Sequence, residues 1–389
     1  MSARVLAHAG AARRQATTQG RARRGEASGR RIAEPERAQK VYTRGMSGSS
    51  SVSVVTVLGA GSWGTALALH AARRGHAVRL WTRSAEHLAA MQVDGCNRRY
   101  LAEFPFPGNV TPTHDLAAAL AGAELVILAI PSHALRDALV QVKEVFTRSG
   151  GPAPMYLVAA KGVEVDSLAT MADVVKETLP GEHAGRMAAL GGPSFAAEVA
   201  RGLPTAVVIA SHAAAVADRI QHMLAGDGLR AYVTEDVVGV ELGGAFKNVI
   251  ALGAGVCDGA GLGQNARAAL ITRGLAEIGR LCLALGAHPA TLSGLAGLGD
   301  LVLTCTGGLS RNRRVGLALG QGQSLQEILR EMGMVAEGVN NTLSAHRLAQ
   351  REGVDMPITA MMHAILYEGI GVARAVAGLM QRDLKPERD

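Results

Sequence analysis

Apolar and polar positions along the chain fall into two regimes. Between residues 51 and 210, short apolar runs rich in β-branched residues recur at 51–58, 76–81, 124–130 and 155–160, with shorter runs at 188–190 and 206–210. Continuous apolar runs of this length, ended by Gly, Pro or Lys, predict strands buried on both faces. Helical stretches lie between them, the first over 65–74 and ended by Gly75. Strands alternating with helices predict a doubly wound, parallel α/β sheet. From Val237 onward the pattern changes to long helical stretches broken by Gly and Pro, with no further strand. The expected organisation is an α/β domain over 51–236 followed by an all-α domain over 237–389.

Residues 237–256 are almost uncharged, so a membrane span has to be weighed. Glu241, Lys247 and Asn248 interrupt the run, and no Trp or Tyr flanks it. A Lys near the middle of a bilayer costs about 2.5–3.5 kcal/mol on insertion scales. A helix buried between domains or subunits fits better. The chain is therefore expected not to be an integral membrane protein, and its apolar helices point to a homodimer.

Composition narrows the classes. A chain of 389 residues with 48 % hydrophobic and 19 % charged residues has room for two folded domains and is not wholly disordered. Aromatic residues make up only 3 %, which argues against nucleic-acid binding through stacking platforms. The four Cys (Cys96, Cys257, Cys282, Cys305) form no paired motif, which suits a reducing compartment and an expected cytoplasmic location.

The net charge of +7 is unevenly spread. Residues 1–50 hold eleven of the 40 Lys and Arg but only three of the 33 Asp and Glu, so the body carries a net charge of −1. This basic leader has no apolar run, which excludes a secretory signal. An Arg-rich transit peptide, a disordered nucleic-acid arm and translation from Met46 remain as readings. The last is adopted, since the segment has no apolar helical stripe and contains Glu26, Glu34 and Glu36. On any of them the leader is expected to be disordered.

Candidate chemistry begins directly after the first strand. Gly59-Ala-Gly61-Ser-Trp-Gly64 sits between a strand and a helix, the context that makes such a motif a dinucleotide site of a Rossmann-like domain. Gly59 permits the tight turn, Gly61 lets backbone amides approach a pyrophosphate, and Gly64 lets helix pack on strand. The second strand ends Leu80-Trp-Thr-Arg83-Ser84, with no acid to take a ribose diol. Arg83 suits a 2′-phosphate instead, so NADP(H) is expected to be preferred over NAD(H).

Lys161, Lys247 and Asp300 stand out against apolar or glycine-rich neighbours. Lys161 falls at the carboxyl end of a strand, where open α/β sheets bind ligands. Lys247 lies inside an apolar helix, where desolvation lowers its pKa and makes it a usable acid or base. A nearby Asp would orient it. Ser310-Arg-Asn-Arg-Arg314 is dense in groups that hold phosphate, although Arg313 and Arg314 read as a solvated basic loop. The His residues lack ligand spacing, and no metal is assigned.

These motifs together resemble the bacterial-type NAD(P)-dependent glycerol-3-phosphate dehydrogenases, over about residues 54–387. The resemblance rests on the glycine motif, Ala160-Lys-Gly162, Gly192-Pro-Ser-Phe195, Glu241-Leu-Gly-Gly-Ala-Phe-Lys-Asn248, Gly297-Leu-Gly-Asp-Leu301, the 310–314 segment, Glu337-Gly338 and Met356-Pro-Ile-Thr359. It implies reduction of dihydroxyacetone phosphate to sn-glycerol 3-phosphate, the backbone of membrane phospholipids. It implies cofactor contacts at Ser62, Trp63, Arg83, Lys161, Ala196, Arg311, Val335 and Glu337. Substrate contacts follow at Lys161, Gly192, Ser194, Lys247, Asp300, Ser310, Arg311 and Asn312. Lys247 resembles the family's proton donor and acceptor. Gly191 departs from a Ser common there. The rival readings are a 6-phosphogluconate or ketopantoate type of dehydrogenase and a non-catalytic NADP-binding sensor. Small molecules are the expected partners, with no nucleic acid.

Overall fold

The first strand, β1 (Val54–Leu58), lies inside an eight-stranded sheet, third from one edge, where its Val55, Val57 and Leu58 side chains are fully buried. In the computed structural model the other strands of this sheet are β2 (Ala77–Trp81), β5 (Val110–Thr113), β6 (Leu125–Leu128), β7 (Met155–Val158), β8 (Met187–Gly191), β9 (Thr205–Ala210) and β10 (Leu229–Thr234). A small hairpin, β3 (Cys96–Asn97) and β4 (Ala102–Pro105), stands apart. The structure describes residues 52–226, 228–332, 336–384 and 386–387, all within one compact unit, and the basic leader lies outside them.

The strand order is β10-β9-β8-β7-β6-β1-β2-β5. The chain winds outward from β1 through β2 to β5, then resumes on the other side of β1 at β6. The switch point between β1 and β6 is where an open sheet of this kind leaves a crevice at its carboxyl edge. All six strands from β8 to β5 run parallel, but β8 and β9 are antiparallel, and β10 follows β9. The wholly parallel sheet expected from the sequence is corrected there. The helix between β8 and β9 (Ala196–Arg201) has six residues. At roughly 9 Å it is shorter than a strand of about 17–20 Å, so the chain turns back instead of crossing over.

Two strands of this sheet escaped the sequence pattern because both are edges. β5 contains Pro112, which an edge strand tolerates. β10 alternates buried and exposed positions, with Tyr232 and Val233 open to solvent. The first helix, Ser62–Arg73, begins three residues before the expected 65, so the motif's own Ser62, Trp63 and Gly64 form its first turn.

After β10 the described residues form helices and their connections, with no further strand. The long helix Val237–Gly259 runs through the interior with 94 % of its most apolar stretch buried. Its Leu242, Phe246, Val249 and Ile250 pack among Leu281, Cys282, Leu301, Val315, Leu348 and Met362. The burial anticipated between domains or subunits is thus met within one chain. Helix Arg311–Gly320 lies hard against it through two glycine pairs. A Cβ on Gly320 would sit 2.5 Å from Val256 O, and one on Gly255 would sit 2.7 Å from Leu317 N. Gly259 and Gly316 meet backbone on the opposite helix in the same way. This contact sets the start of helix Arg311–Gly320 beside the middle of the long helix.

Candidate active site

The glycine turn after β1 takes the form its sequence requires. Gly59 has φ +112°, and a Cβ there would lie 2.5 Å from Ala129 O at the end of β6. Gly64 packs against the Gly59 carbonyl with no space for a side chain. Gly61 differs, since a Cβ there meets nothing within 4 Å. Helix Ser62–Arg73 has no side-chain cap at Gly61, and its first free backbone amides follow this open space. Such a helix start favours an anion. Among the described residues, the buried Nε1 of Trp63 has no hydrogen-bond acceptor, although Trp donors normally find one when buried. A glycine cradle with room, free amides and an orphaned donor fit a dinucleotide.

The second strand ends at Trp81, and Arg83 projects from the bend that follows. It is exposed and, among the described residues, makes no hydrogen bond or ion pair. Ser62 Oγ donates to Tyr100 O at 3.3 Å. Ala196 opens the helix beyond Gly192, and Val335 lies outside the described residues.

At the carboxyl edge of β7 the chain reaches Lys161. Its Nζ meets Asp300 Oδ2 at 2.7 Å and donates to Gly192 O at 3.2 Å. Lys247, from the long helix, donates to Asp300 Oδ1. Three residues distant in sequence thus share one carboxylate. Asp300 is 1 % exposed and Lys247 6 %, so water screens the cluster poorly. Burial lowers Lys247 to about 8, Asp300 opposes that shift and the Lys161 charge adds to it. Burial pushes the Asp300 carboxyl up, but Lys161 and Lys247 together outweigh this and hold it below the usual carboxylate range. The cluster therefore carries more positive than negative charge, with one ammonium that releases its proton readily.

Asp300 owes its place to an irregular approach. Residues Leu295–Gly299 form a single π-helical turn before helix Asp300–Thr306 begins. Such turns often accompany functional sites. On the same helix Thr304 Oγ1 donates to Asp300 O at 2.6 Å. Ser194 Oγ donates to Gly192 O at 3.0 Å. Gly191 is hemmed in, since a Cβ there would lie 2.7 Å from Val240 Cγ1.

The 310–314 segment is helical from Arg311, with Ser310 as its cap and its Oγ accepting from Arg313 N at 3.2 Å. Asn312 donates to Asn248 Oδ1 at 2.8 Å and accepts from Gly338 N at 3.0 Å. Arg311 is exposed, whereas Arg313 is half-buried and its Nε donates to Asp258 Oδ2 at 3.0 Å. The solvated loop expected for Arg313 is therefore corrected, because helical periodicity turns it onto Asp258. Arg314 is exposed, as expected.

Glu337 accepts from Ser132 Oγ at 2.8 Å and Ser132 N at 3.3 Å. One turn on, the buried Asn341 donates to Ala245 O at 3.0 Å and Lys161 O at 3.4 Å, tying together the backbones that carry the two lysines. Ser132, Thr304 and Asn341 were not singled out from sequence. Their only mark is a helical spacing of four from Asp300 for Thr304 and from Glu337 for Asn341; Ser132 has none. Glu241, also on the long helix, caps another helix by accepting from Ala172 N at 2.9 Å, and burial pushes it up to about 8.

Comparison with known proteins shows the family of the chain. Residues 54–217 match the model for the NAD-dependent glycerol-3-phosphate dehydrogenase N-terminus, and residues 236–377 that for its C-terminus. A protein of Anaeromyxobacter sp. (strain K), named glycerol-3-phosphate dehydrogenase [NAD(P)+], is 50 % identical over 332 residues, covering 85 % of this chain and 99 % of the relative. One of the same name from Thermoanaerobacter sp. (strain X514) is 47 % identical over 335 residues, covering 86 % and 98 %. A crystal structure of glycerol-3-phosphate dehydrogenase from Coxiella burnetii superposes with a TM-score of 0.80 at 43 % identity, over 85 % of this chain and 99 % of that one.

Proposed function

The chain belongs to the NAD-dependent glycerol-3-phosphate dehydrogenase family, and we propose that its own residues reduce dihydroxyacetone phosphate reversibly to sn-glycerol 3-phosphate, preferring NADPH to NADH. The observation that carries the reading is the buried Lys161–Asp300–Lys247 cluster at the carboxyl edge of the sheet.

The dinucleotide is read as lying over the turn Gly59–Gly64, held by Ser62, Trp63, Ala196 and Glu337, with Arg83 on its 2′-phosphate. When bound, the nicotinamide would supply the hydride that reduces the substrate's carbonyl carbon. Ser310, Arg311 and Asn312 hold the substrate phosphate at the start of their helix, through charge-assisted contacts that fix the carbonyl in place. Lys247 transfers a proton from its ammonium to the carbonyl oxygen as negative charge develops there, and becomes a neutral amine. Before the transfer its positive charge stabilises the oxygen. Lys161 supplies a second positive charge from the strand edge, and Asp300 orients both ammoniums. Gly192 and Ser194 complete the wall. On this reading residues 51–236 hold most of the cofactor and 237–389 most of the substrate, with Glu337 reaching the cofactor from the second segment and Lys161, Gly192 and Ser194 the substrate from the first. The product would serve as glycerophospholipid backbone in the cytoplasm, a setting supported by four buried, unpaired cysteines.

The test is oxidation of NADPH and of NADH by protein with dihydroxyacetone phosphate, beside 6-phosphogluconate and pantoate assayed in the oxidative direction. Rapid turnover confined to the triose phosphate, faster with NADPH, is expected. Folded protein that turns over only one of the other substrates would overturn the assignment.

A further inference from the structure

Arg83 sits on a bend, Thr82-Arg83-Ser84, and a directed set of hydrogen bonds ties that bend to the glycine turn. Asn97 of the β3–β4 hairpin is wholly buried. Its Nδ2 donates to Ala60 O at 2.9 Å and to Thr65 Oγ1 at 2.8 Å. Both amide protons are used, so Oδ1 can only accept. His87 Nε2 lies 3.0 Å from that Oδ1 and must carry the ring proton. In the neutral ring Nδ1 is then an acceptor, and Thr82 Oγ1 at 3.3 Å donates to it. Thr82 Oγ1 accepts from Ser84 N at 3.4 Å, and Ser84 Oγ accepts from His87 N at 3.1 Å. Every proton in the neutral network therefore has one place.

The imidazole is braced from another side by Tyr100, edge-on with ring centroids 5.5 Å apart. Ser62, at the start of the cofactor helix, donates to the Tyr100 carbonyl. His87 thus touches both the bend, at Thr82, and the hairpin that holds the glycine turn, at Asn97. The backbone is held as far as Thr82, since Gly59 N donates to Trp81 O at 3.1 Å and Thr82 N to Thr113 O at 2.9 Å. Beyond it the side-chain network of His87 fixes the course of the bend, and a long side chain on a loose bend loses more freedom on binding than one already in register.

We propose that His87 is a positioning residue for cofactor choice. It keeps the Thr82-Arg83-Ser84 bend in register with the glycine turn, so that Arg83 meets the 2′-phosphate of NADPH. The inference rests on the reading that Arg83 takes that phosphate. NADH has no such phosphate and draws nothing from Arg83, so loss of His87 falls on NADPH alone.

Steady-state kinetics with both cofactors, at saturating dihydroxyacetone phosphate, test this in His87→Leu, Thr82→Val, Arg83→Gln and the His87→Leu/Arg83→Gln double variant. His87→Leu is expected to raise KM for NADPH about tenfold, on the scale of one weakened charge-assisted hydrogen bond. KM for NADH should stay within about twofold, with kcat unchanged for either. Thr82→Val removes one hydroxyl while keeping the shape, and shifts the same ratio in the same direction even where His87→Leu folds poorly. In the Arg83→Gln background His87→Leu should add nothing to the ratio, since the two act through one contact. Equal rises in both KM values would mark a merely structural residue and overturn the proposal. A ratio changed by Arg83→Gln but not by His87→Leu or Thr82→Val overturns the role of His87 alone. A ratio untouched by Arg83→Gln overturns the Arg83 reading and the inference built on it.

Discussion

Replacing Asp300 by Asn tests the proposed proton donor through its partner. The substitution keeps shape and volume but removes the charge that two ammoniums share. Lys161 Nζ lies 2.7 Å from one carboxylate oxygen, and Lys247 Nζ meets the other. An amide can accept from one of them but turns a donor toward its neighbour. Breaking a buried ion pair by removing one partner costs about 3–5 kcal/mol. Much of that cost can be avoided if Lys247 sheds its proton, at about 1.4 kcal/mol per pKa unit. Lys247 already stands near 8 because burial disfavours its charge. Losing Asp300 removes the main force that opposes this, so the Lys247 pKa falls further below its wild-type value. Near neutrality only a small fraction of the enzyme then holds a proton to donate, and on the scale of about 3 kcal/mol of lost pairing reduction slows about a hundredfold. The assay is kcat/KM for reduction across pH, which reports groups of the free enzyme. Wild type should be flat below about 8 and fall above it. Asp300→Asn should still be rising as pH drops well below 8, so that acid partly rescues it. A folded variant with unchanged turnover near neutrality, or one impaired equally at every pH, would refute the reasoning.

Wild-type reduction should fall as pH rises through about 8, while oxidation of glycerol 3-phosphate rises over the same range. The donor must be an ammonium in one direction and an amine in the other, so profiles of the same sign would exclude Lys247. Lys247→Met should lower kcat about a thousandfold, since it removes both a proton donor and an oxyanion-stabilising charge. Thermal unfolding at neutral pH should shift up by a few degrees. Its folded-state pKa is depressed from 10.5 to about 8, so the buried ammonium destabilises the fold below that range, an effect that vanishes above the unfolded value. A large drop in Tm would show that the pair with Asp300 outweighs desolvation. Gly61→Ala should leave Tm unchanged but weaken cofactor binding at least tenfold, because its Cβ enters open space that a pyrophosphate would need. Gly64→Ala should lower stability by about 1–3 kcal/mol, because its Cβ meets the Gly59 carbonyl. Calorimetry and NADPH titration distinguish the two, and equal loss of stability in both would refute the division of roles.

What the sequence reveals about this molecule is mostly its desolvation. Central strands read clearly because burial on both faces demands unbroken apolar runs. β10 did not, because an edge strand with an alternating face and Arg230 in it looks like a loop. Lys161, Lys247 and Asp300 were conspicuous because a charge among apolar neighbours needs a partner. Their pairing was not, since the bonds span 139 and 53 residues and no local period links them. That pairing depends on a turn of π-helix at 295–299, while two glycine pairs bring the 310–314 segment beside the long helix; as single letters these read only as flexibility. Arg313 was misread for the complementary reason. A run of basic residues looks solvated until helical periodicity turns one of them inward onto Asp258. Asn97, His87 and Asn341 lie furthest from sequence reasoning. Each is a polar side chain whose partners come from two or more separate elements. Nothing near such a residue in the chain marks it, because its value lies in directing protons and fixing backbones that meet only once the fold has formed. The charged groups proposed to carry the chemistry can therefore be found one at a time from sequence. The neutral groups that hold them in register, and with them the selectivity proposed for His87, exist only as geometry.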